Sequence, residues 1–387
     1  MIDRIAANTL KRLATQFPVV CITGPRQSGK TTLAKMVFPD KKVVSFDEKS
    51  LREIAKSNPD DFLLAFPDGA IIDEAQKVPE IFDAIKLNVD RNKYQFGKYI
   101  LTGSSQFKLR QNVSDSLSGR AAYLRLMPFS IGELKSAGLL GNSAYNAIIR
   151  GQYPPLYDEQ NSFDPKLWFE NYLDTYLEMD VLDQITPSNL SVFKKFIQIC
   201  ALYSGQILSM EGIARDIRVS AKTVQSWLSI LENSYIIHLV EPDTMNLGKN
   251  LIKSPKLYFV DSGLLCHLLR LERVEDVVLD RKKGAIVETF AISELLKQKY
   301  NIGEKPNLTF FRDYKGFEVD TIANWSHSFA IEIKSDSNAE KKLSANLRKY
   351  LKLRNNPSVS GTIMYLGDYK FNIDEIQYLP WMEWDNI

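Results

Sequence analysis

The most informative chemical pattern in this sequence is the segment GPRQSGKTT, residues 24–32. It follows the apolar run VVCIT and precedes residues with helical character, and its spacing fits G-x-x-x-x-G-K-[ST]. Such a loop binds phosphate oxygens, because its backbone N–H groups and the positive end of the next helix point toward them. The residues predicted to bind a nucleotide are Gly24, Pro25, Arg26, Gln27, Ser28, Gly29, Lys30, Thr31 and Thr32.

Four side chains are expected to carry the chemistry of ATP with Mg²⁺. Lys30 would reach the β- and γ-phosphates, and the hydroxyl of Thr31 would bind Mg²⁺. A second apolar segment, GAIIDEAQ, ends in Asp73 and Glu74. Asp73 would hold the Mg²⁺ shell, whereas Glu74 would orient and deprotonate the attacking water. Without the loop, the preferred interpretation of the two acids would be a solvated strand end.

Three more polar residues are candidates for contact with the γ-phosphate. Thr102 and Ser104 follow the apolar segment that ends in ILTGSSQ, and either hydroxyl is a possible sensor. Arg120, in SLSGRAAYLRL, is a candidate arginine finger for the nucleotide of a neighbouring subunit, which would require a homo-oligomer. The alternatives are ordinary loop hydroxyls and a surface arginine.

A second group of chemically suggestive residues lies near the end of the chain. Glu318 and Asp320 share one face of a predicted strand, as do Glu332 and Lys334 of the next, because side chains at i and i+2 point the same way. If the two strands are adjacent, Asp320 lies near Glu332. This pattern, D…E-x-K, suits metal-dependent phosphodiester cleavage, in which carboxylates bind Mg²⁺ and the lysine orients or activates the nucleophile.

The elements that must position these residues follow from hydrophobic patterning. Up to about Ser130, short apolar runs alternate with helical segments, which predicts an α/β domain with a parallel sheet covered on both faces. The predicted strands are 19–23, 42–46, 69–74, 98–103 and 121–126. In the last part of the chain the predicted order is helix 284–299, strands 308–314, 317–323 and 329–334, helix 339–352 and strand 361–366.

The middle of the chain has the outline of a helix-turn-helix with a wing, formed by residues 207–240 and 255–261. A recognition helix needs hydrogen-bond donors along one face. The candidates here are Arg218, Lys222, Thr223, Gln225, Ser226 and Ser229. This face is polar but hardly basic, so a packing role for the segment is favoured over DNA binding.

Several motifs resemble one family in order along nearly the whole chain. The motifs are GPRQSGKTTL, IIDEAQKVP, ILTGSSQ, LSGRAAYLRLMPFSIGEL, GQYPPLY, YLDTYLEMDV, SPKLYFVDSGL, GAIVETFAISELLK, FRDYKGFEVD and IEIKSD. They are similar to those of AAA-type P-loop ATPases that carry a C-terminal domain of uncharacterised function. The resemblance implies an AAA-type ATPase domain at 1–150, a helical and winged-helix segment at 151–270, and a PD-(D/E)XK restriction-endonuclease-like domain at 271–387. Glu288 resembles the first acidic residue of that pattern and would complete its metal site.

Composition limits the remaining possibilities. A net charge of +2, from 49 basic and 47 acidic residues, means that any DNA or RNA surface must be a local patch. Cys21, Cys200 and Cys266 are widely spaced, which disfavours structural zinc and disulfides. The first residues lack the apolar stretch of a signal peptide, and no apolar run approaches the roughly 20 residues of a membrane span. We therefore expect a soluble, cytoplasmic protein that does not engage a membrane.

Two functions remain open at this point. The first is an ATP-hydrolysing switch or motor that controls a nuclease-like module acting on nucleic acid. The second is a nucleotide-gated switch, in which the nuclease-like domain does not cut and instead docks a protein partner. A small-molecule kinase is disfavoured, because the Asp73–Glu74 pair suits water activation rather than transfer to an acceptor.

Overall fold

A computed structural model describes residues 2–91, 95–103, 109, 112–113, 115–158, 163–177, 181–182, 184–243, 252–338 and 340–387. The chain divides into two compact units. The first comprises Met1–Phe129 with Lys299–Glu304, and the second comprises Ser130–Gln298 with Lys305–Ile387. Among the helices described, none combines the length and the apolar character that a membrane span needs.

The first unit is a parallel β-sheet with helices. Its described strands are β1 (Val19–Thr23), β2 (Lys42–Ser45), β3 (Ala70–Asp73), β4 (Tyr99–Thr102) and β5 (Ala121–Arg125). Its described helices are α1 (Ala6–Ala14), α2 (Lys30–Val37), α3 (Lys49–Ser57), α4 (Pro59–Leu64) and α5 (Glu80–Arg91), with a 3-10 turn at Ala75–Lys77. Each predicted strand of this region occurs, and the predicted parallel sheet is confirmed.

The strand order β2-β3-β4-β1-β5 explains the continuous apolar runs of the sequence. Along β1, Val19 and Cys21 enter one core cluster, whereas Val20 and Ile22 enter another. Both faces of the strand are therefore buried, as in a sheet covered on two sides. Because all strands run parallel, β1, β3 and β4 end at the same edge, with β4 between the other two.

The second unit contains most of the helices. They are α6 (Ile131–Ser136), α7 (Ala144–Arg150), α8 (Pro165–Tyr176), α9 (Leu190–Leu202), α10 (Met210–Ile217), α11 (Ala221–Asn233), α12 (Ser262–Leu269), α13 (Val274–Leu279), α14 (Lys283–Asn301) and α15 (Ala345–Arg354). Single 3-10 turns lie at Pro154–Tyr157, Pro187–Asn189, Lys341–Ser344 and Trp381–Asn386. A short helix, α13, lies between α12 and α14. The last residues of α14, 299–301, group with the first unit.

The second unit also contains a mixed sheet. Its described strands are β6 (Gln206–Ile207), β7 (Ile237–Pro242), β8 (Lys256–Phe259), β9 (Leu308–Arg312), β10 (Glu318–Asn324), β11 (Ser328–Lys334), β12 (Val359–Tyr365), β13 (Phe371–Ile373) and β14 (Ile376–Pro380). They are ordered β13-β14-β12-β11-β10-β9-β7-β8-β6. Strands β9, β10 and β11 are antiparallel, and β12 pairs with β11 in parallel after the crossover helix α15.

This sheet joins the middle and last segments of the chain. Strand β7 pairs with β8 in the middle segment and also runs parallel to β9, with Glu241 opposite Thr309. The elements predicted for residues 284–366 occur in the predicted order, although a 3-10 turn precedes α15. The two short strands β13 and β14 were not predicted.

Helix α11, in the region predicted to form a helix-turn-helix, packs through its apolar face. Ser220 begins α11, and its Oγ accepts a hydrogen bond from the Thr223 N–H at 3.0 Å. Trp227 is buried, and its ring lies 5.2 Å from that of Phe193 and 5.4 Å from that of Phe196 on α9. The polar candidates of the sequence prediction, among them Lys222, lie on the opposite, more exposed face.

A buried polar network ties distant parts of the second unit together. Lys297 and Glu294 are fully buried and ion-paired at 2.9 Å, and the Gln152 amide donates to Glu294 at 2.7 Å. The Ile131 N–H donates to the other Glu294 oxygen at 2.8 Å, and the Gln152 N–H donates to Asp261 at 2.8 Å. Buried charges persist only when they are paired and hydrogen-bonded, so this network depends on every member.

We expect Lys297→Ala to destabilise the second unit by about 3–5 kcal/mol, because Glu294 would be left buried without its cation. All five tryptophans lie in this unit, so urea unfolding followed by tryptophan fluorescence measures its stability. The control is Lys194→Ala, whose ion pair with Asp174 is half-exposed and should contribute less than about 1 kcal/mol. Equal losses in the two variants would contradict a structural role for the network.

Candidate functional site

The loop between β1 and α2 requires glycine at two positions. Gly24 has φ +147°, and a Cβ built on it would lie 2.0 Å from the carbonyl oxygen of Leu126. Gly29 has φ +88° and directly precedes α2. These glycines allow the backbone to form a tight loop at the helix N-terminus, where N–H groups can bind an anion. The Oγ of Ser28 is buried and, among the described residues, has no hydrogen-bond partner, so a polar ligand would satisfy it.

Two charged, buried side chains donate hydrogen bonds to carbonyl oxygens of this loop. Lys30 is 7% exposed, and its Nζ donates to the carbonyl oxygens of Gly24 at 3.1 Å and Pro25 at 2.7 Å. Arg4, which the sequence analysis missed, donates to the carbonyl oxygens of Ser28 at 2.9 Å and Met127 at 2.6 Å. Arg4 lies just before the first helix, in a segment without a recognisable motif, so the sequence offered no signal for this role.

The remaining residues of the predicted phosphate loop lie nearer to solvent. Arg26 is half-buried, and Gln27 and Thr32 are exposed. Gln27 adopts φ +59°, which is uncommon for a residue with a side chain. The predicted roles of these three residues stay predictions.

Two hydroxyl groups donate hydrogen bonds to one oxygen of Asp73, the carboxylate predicted to hold the Mg²⁺ shell. The hydroxyl of Thr31 donates to Oδ1 of Asp73 at 2.7 Å, and the hydroxyl of Thr102 donates to the same oxygen. Thr31 lies at the start of α2, Asp73 ends β3, and Thr102 ends β4. A hydroxyl and a carboxylate at this distance fit Mg²⁺, which prefers oxygen ligands.

Glu74, the predicted water-activating residue, is held by a neighbour that the sequence analysis missed. Glu74 adopts φ +52°, and its Oε2 accepts a hydrogen bond from the Gln76 amide at 2.5 Å. Gln76 is buried, and a Cβ at Gly103 would lie 2.2 Å from its Oε1. Gln76 therefore lies between Glu74 and the end of β4. The available signal was the glutamine in DEAQ.

The other two nucleotide-contact candidates are not brought to this edge by a described contact. Arg120 donates from Nε and Nη2 to the two Asp90 oxygens, at 2.6 and 2.9 Å, so it pairs with an acid of its own domain. Its role as a finger for a neighbouring subunit stays a prediction. Ser104 lies outside the described residues.

A second cluster of predicted site residues lines a cavity of about 590 Å³ in the second unit. The cavity is lined by Glu288, Glu318, Asp320, Glu332 and Lys334, together with Arg312 and residues 205–207 of the middle segment. We refer to it as the carboxylate cavity. Its polar lining comes from α14, β9, β10, β11 and β6, together with Asn346 of α15.

Strand register brings the two central acids of the cavity together. Thr321 of β10 lies opposite Ile331 of β11, so Asp320 is next to Glu332 on the neighbouring strand. The Ile333 N–H donates to Oδ2 of Asp320 at 2.7 Å. This antiparallel pairing is the arrangement that the D…E-x-K spacing requires.

The electrostatics of the cavity are those of crowded, buried carboxylates. Burial is the main cause that raises the pKa of Glu332, and the nearby Asp320 carboxylate raises it further. Lys334, which is ion-paired with Glu332 Oε2, opposes this increase. Burial also raises the pKa of Glu288 to about 7, against the opposing effect of Lys256. Within the described part of the chain, Oε1 of Glu332 has no hydrogen-bond partner, although the side chain is only 3% exposed.

Two residues of the middle segment reach this cluster and were missed by the sequence analysis. Lys256 of β8 lies 2.8 Å from Glu288 Oε1 and 2.5 Å from Glu318 Oε1. The hydroxyl of Tyr258 donates to Glu288 Oε1 at 2.5 Å. The one available signal was a lysine at the start of the apolar strand PKLYFVD.

The cavity offers few ligands for a metal ion. No group of three or more His, Cys, Asp or Glu side chains is arranged as a metal ligand set in the ranges that the structure describes. Asp320 and Glu332, with the unpaired Glu332 oxygen, do fit one Mg²⁺ whose remaining positions are filled by water or phosphate oxygens.

Three family models match consecutive parts of the chain. Residues 16–135 match the model described as "AAA domain", residues 142–275 match "Domain of unknown function (DUF8612)", and residues 283–384 match "Domain of unknown function (DUF4143)". The first match agrees with the parallel sheet and glycine loop described above. Together they support an AAA-type P-loop ATPase domain in the first unit and an ATPase function for it.

Curated relatives and solved structures were also found. The chain is 28% identical over 377 residues to the uncharacterised proteins Rv2008c of Mycobacterium tuberculosis and Mb2031c of Mycobacterium bovis, covering 96% of this chain and 82% of each relative. The Walker-type ATPase PABY2304 of Pyrococcus abyssi shows 14% identity and a TM-score of 0.46, over 70% of this chain and 96% of that one. The RuvB Holliday junction branch migration motor of Thermotoga maritima shows 17% identity and a TM-score of 0.31, over 61% and 89%.

We expect Gly24→Ala to lower the affinity for Mg-ATP by more than about tenfold, equivalent to ~1.4 kcal/mol. The added methyl would collide with the Leu126 carbonyl oxygen and displace the loop. Isothermal titration calorimetry measures the affinity. The control is Gly141→Ala, where a Cβ meets nothing within 4 Å. An unchanged affinity in Gly24→Ala would show that the loop does not bind the nucleotide.

Proposed function

We propose that this protein binds ATP with Mg²⁺ at the β1–α2 loop and hydrolyses it. The observation that carries the proposal is the convergence of Thr31 and Thr102 on one oxygen of Asp73. Three separate elements thereby place two hydroxyls and a carboxylate next to a glycine loop. A structural role alone would not require a lysine and a second acid at the same edge.

The roles of the chain's own residues follow from their positions. Loop N–H groups and Lys30 bind the phosphate oxygens, and Thr31 and Asp73 would hold Mg²⁺. Mg²⁺, when bound, neutralises charge on the phosphates. Glu74 accepts a proton from the attacking water, while Gln76 fixes its carboxylate and Thr102 contacts the γ-phosphate side of the site.

We expect Glu74→Gln to lower kcat for ATP hydrolysis by at least about 100-fold, because the amide cannot accept the proton. Its affinity for Mg-ATP should stay within about threefold of that of the wild-type protein. Lys30→Ala, by contrast, should lose affinity. Phosphate release assays and calorimetry measure the two quantities. Unchanged turnover in Lys30→Ala would overturn the proposed ATPase site.

A second function is favoured by the carboxylate cavity. We propose that it hydrolyses phosphodiester bonds of DNA or RNA under the control of the ATPase domain. The grouping of Asp320, Glu332 and Lys334 on adjacent strands supports this proposal. So does the order of α14, three antiparallel strands, a crossover helix and a parallel strand, which is the order expected of a restriction-endonuclease-like fold.

Each side chain of the cavity would have a separate role in the cleavage reaction. Asp320 and Glu332 would hold Mg²⁺, which supplies charge stabilisation at the phosphate when bound. Lys334, on the same face of β11, would orient the attacking water. Arg312 and residues 205–207 also line the cavity, and Arg312 would pair with a phosphate of the nucleic-acid backbone.

A non-cutting switch remains the alternative, and specific observations favour it. Within α11, Lys222 is the sole lysine or arginine, so the predicted recognition face offers little for a DNA backbone. Moreover, Lys256 already pairs with two of the four cavity carboxylates. In this case ATP binding would order a surface for a protein partner, and the ion pairs would be structural.

We expect the wild-type protein with Mg²⁺ or Mn²⁺ to cleave single- or double-stranded DNA or RNA, and Lys334→Ala to cleave at least about 100-fold more slowly, because the group that activates the nucleophile is lost. Gel assays with and without ATP measure the rates. Lys342→Ala serves as a control, since its ion pair with Glu340 is exposed. Absence of cleavage on every substrate, with ATPase activity retained, would favour the non-cutting switch.

A further inference from the structure

Lys256 is an internal cation of the carboxylate cavity. Its side chain is 2% exposed, and its Nζ lies 2.8 Å from Glu288 Oε1 and 2.5 Å from Glu318 Oε1. It also lies 5.5 Å from the centre of the Phe310 ring. A buried ammonium is costly unless it is paired, and here two carboxylates compensate it.

Other side chains of the protein also pair with the same two acids. The second oxygen of Glu318 forms an ion pair with Arg312 Nη1 at 2.9 Å, and Glu288 Oε1 also accepts a hydrogen bond from the Tyr258 hydroxyl at 2.5 Å. Both oxygens of Glu318 and one oxygen of Glu288 are therefore bound by donors of the chain itself. This half of the cavity carries its own counter-charges.

The other two carboxylates of the cavity, Glu332 and Asp320, have different partners. Glu332 is bound through Oε2 to Lys334, whereas its Oε1 is buried and has no hydrogen-bond partner in the described ranges. Asp320 accepts through Oδ2 from the Ile333 N–H. Asp320 and Glu332 are therefore available to bind a cation, because neither carboxylate is ion-paired with Lys256 in the described ranges.

We propose that Lys256 takes the place of a second metal ion, so that the cavity binds one divalent cation, at Asp320 and Glu332, and not two. This inference rests on the proposed metal site. A second divalent cation at Glu288 and Glu318 would have to lie within a few ångströms of the Lys256 ammonium. Repulsion between the two cations at that distance, in a buried environment, would exceed the gain from carboxylates that are already neutralised.

Lys256 belongs to a different segment of the chain from the carboxylates that it neutralises. Lys256 and Tyr258 belong to β8, in the middle segment, and Gly205, Gln206 and Ile207 of the same segment line the cavity. The segment 283–384, which matches a family model by itself, lacks this cation. The metal count is therefore set by the middle segment, through the sheet that it shares with the last segment.

The test is the number of Mn²⁺ ions bound by the nucleotide-free full chain, counted by electron paramagnetic resonance. Ions bound in excess of the number bound by Asp320→Asn belong to the cavity. We expect one such ion in the wild type and two in Lys256→Met, which keeps the length of the side chain and removes its charge. Lys253→Met, a change at an exposed lysine just before β8, should leave one.

Each other result has a distinct meaning. One cavity ion in both the wild type and Lys256→Met would overturn the role of Lys256 and leave the proposed metal site intact. Two ions in the wild type would also overturn it. No Asp320-dependent ion in either protein would overturn the metal site and the inference together.

A second variant keeps the inference testable if Lys256→Met does not fold. In Glu288→Gln, the affected acid is one that Lys256 already neutralises, so the single ion should persist with an affinity within about threefold of that of the wild-type protein. Glu332→Gln should weaken the same ion by more than about tenfold, because a ligand is lost. Loss of the ion in Glu288→Gln would place Glu288 in the ligand set and refute the inference.

Discussion

Asp73 is the residue on which the first unit's site depends. One of its oxygens accepts hydrogen bonds from the hydroxyls of Thr31 and Thr102, which belong to α2 and β4. The contact exists because parallel strands end at a common edge and because β4 lies between β1 and β3. The glycines of the loop allow it to pack at this edge, since a side chain at Gly24 would collide with the Leu126 carbonyl oxygen. The geometry of the site therefore depends directly on the packing of the sheet.

The second unit is organised by buried charge. Lys297, Glu294 and Gln152 form one network, and Lys256, Glu288 and Glu318 form another. A buried ion that lost its partner would be strongly destabilising, so each network restricts how the surrounding elements can pack. The first network has no access to solvent, and its role is structural. The second borders the carboxylate cavity, in which Oε1 of Glu332 has no hydrogen-bond partner among the described residues.

The shared sheet explains how residues from different segments meet in that cavity. Because β7 pairs with β9, strands β7 and β8 of the middle segment extend the sheet of the last segment. Lys256 thereby reaches carboxylates on α14 and β10. The family models end at residue 275 and begin again at residue 283, between two parts of one continuous sheet. Sequence similarity divides the chain by segment, whereas the sheet and the site cross that division.

The sequence by itself determined the parallel sheet of the first unit, the phosphate loop and the order of elements from α14 to β12. These features are local: apolar periodicity, glycine spacing and strand alternation are read within a few residues. It placed Asp320 near Glu332 on the condition that their strands are adjacent, and the antiparallel pairing of β10 with β11 meets that condition. Only the tertiary structure decided that Lys256 lies against Glu288, 32 residues away, and that Gln76 lies beside Glu74 and Gly103. The physical reason is that such contacts depend on sheet order and burial, which no local pattern encodes.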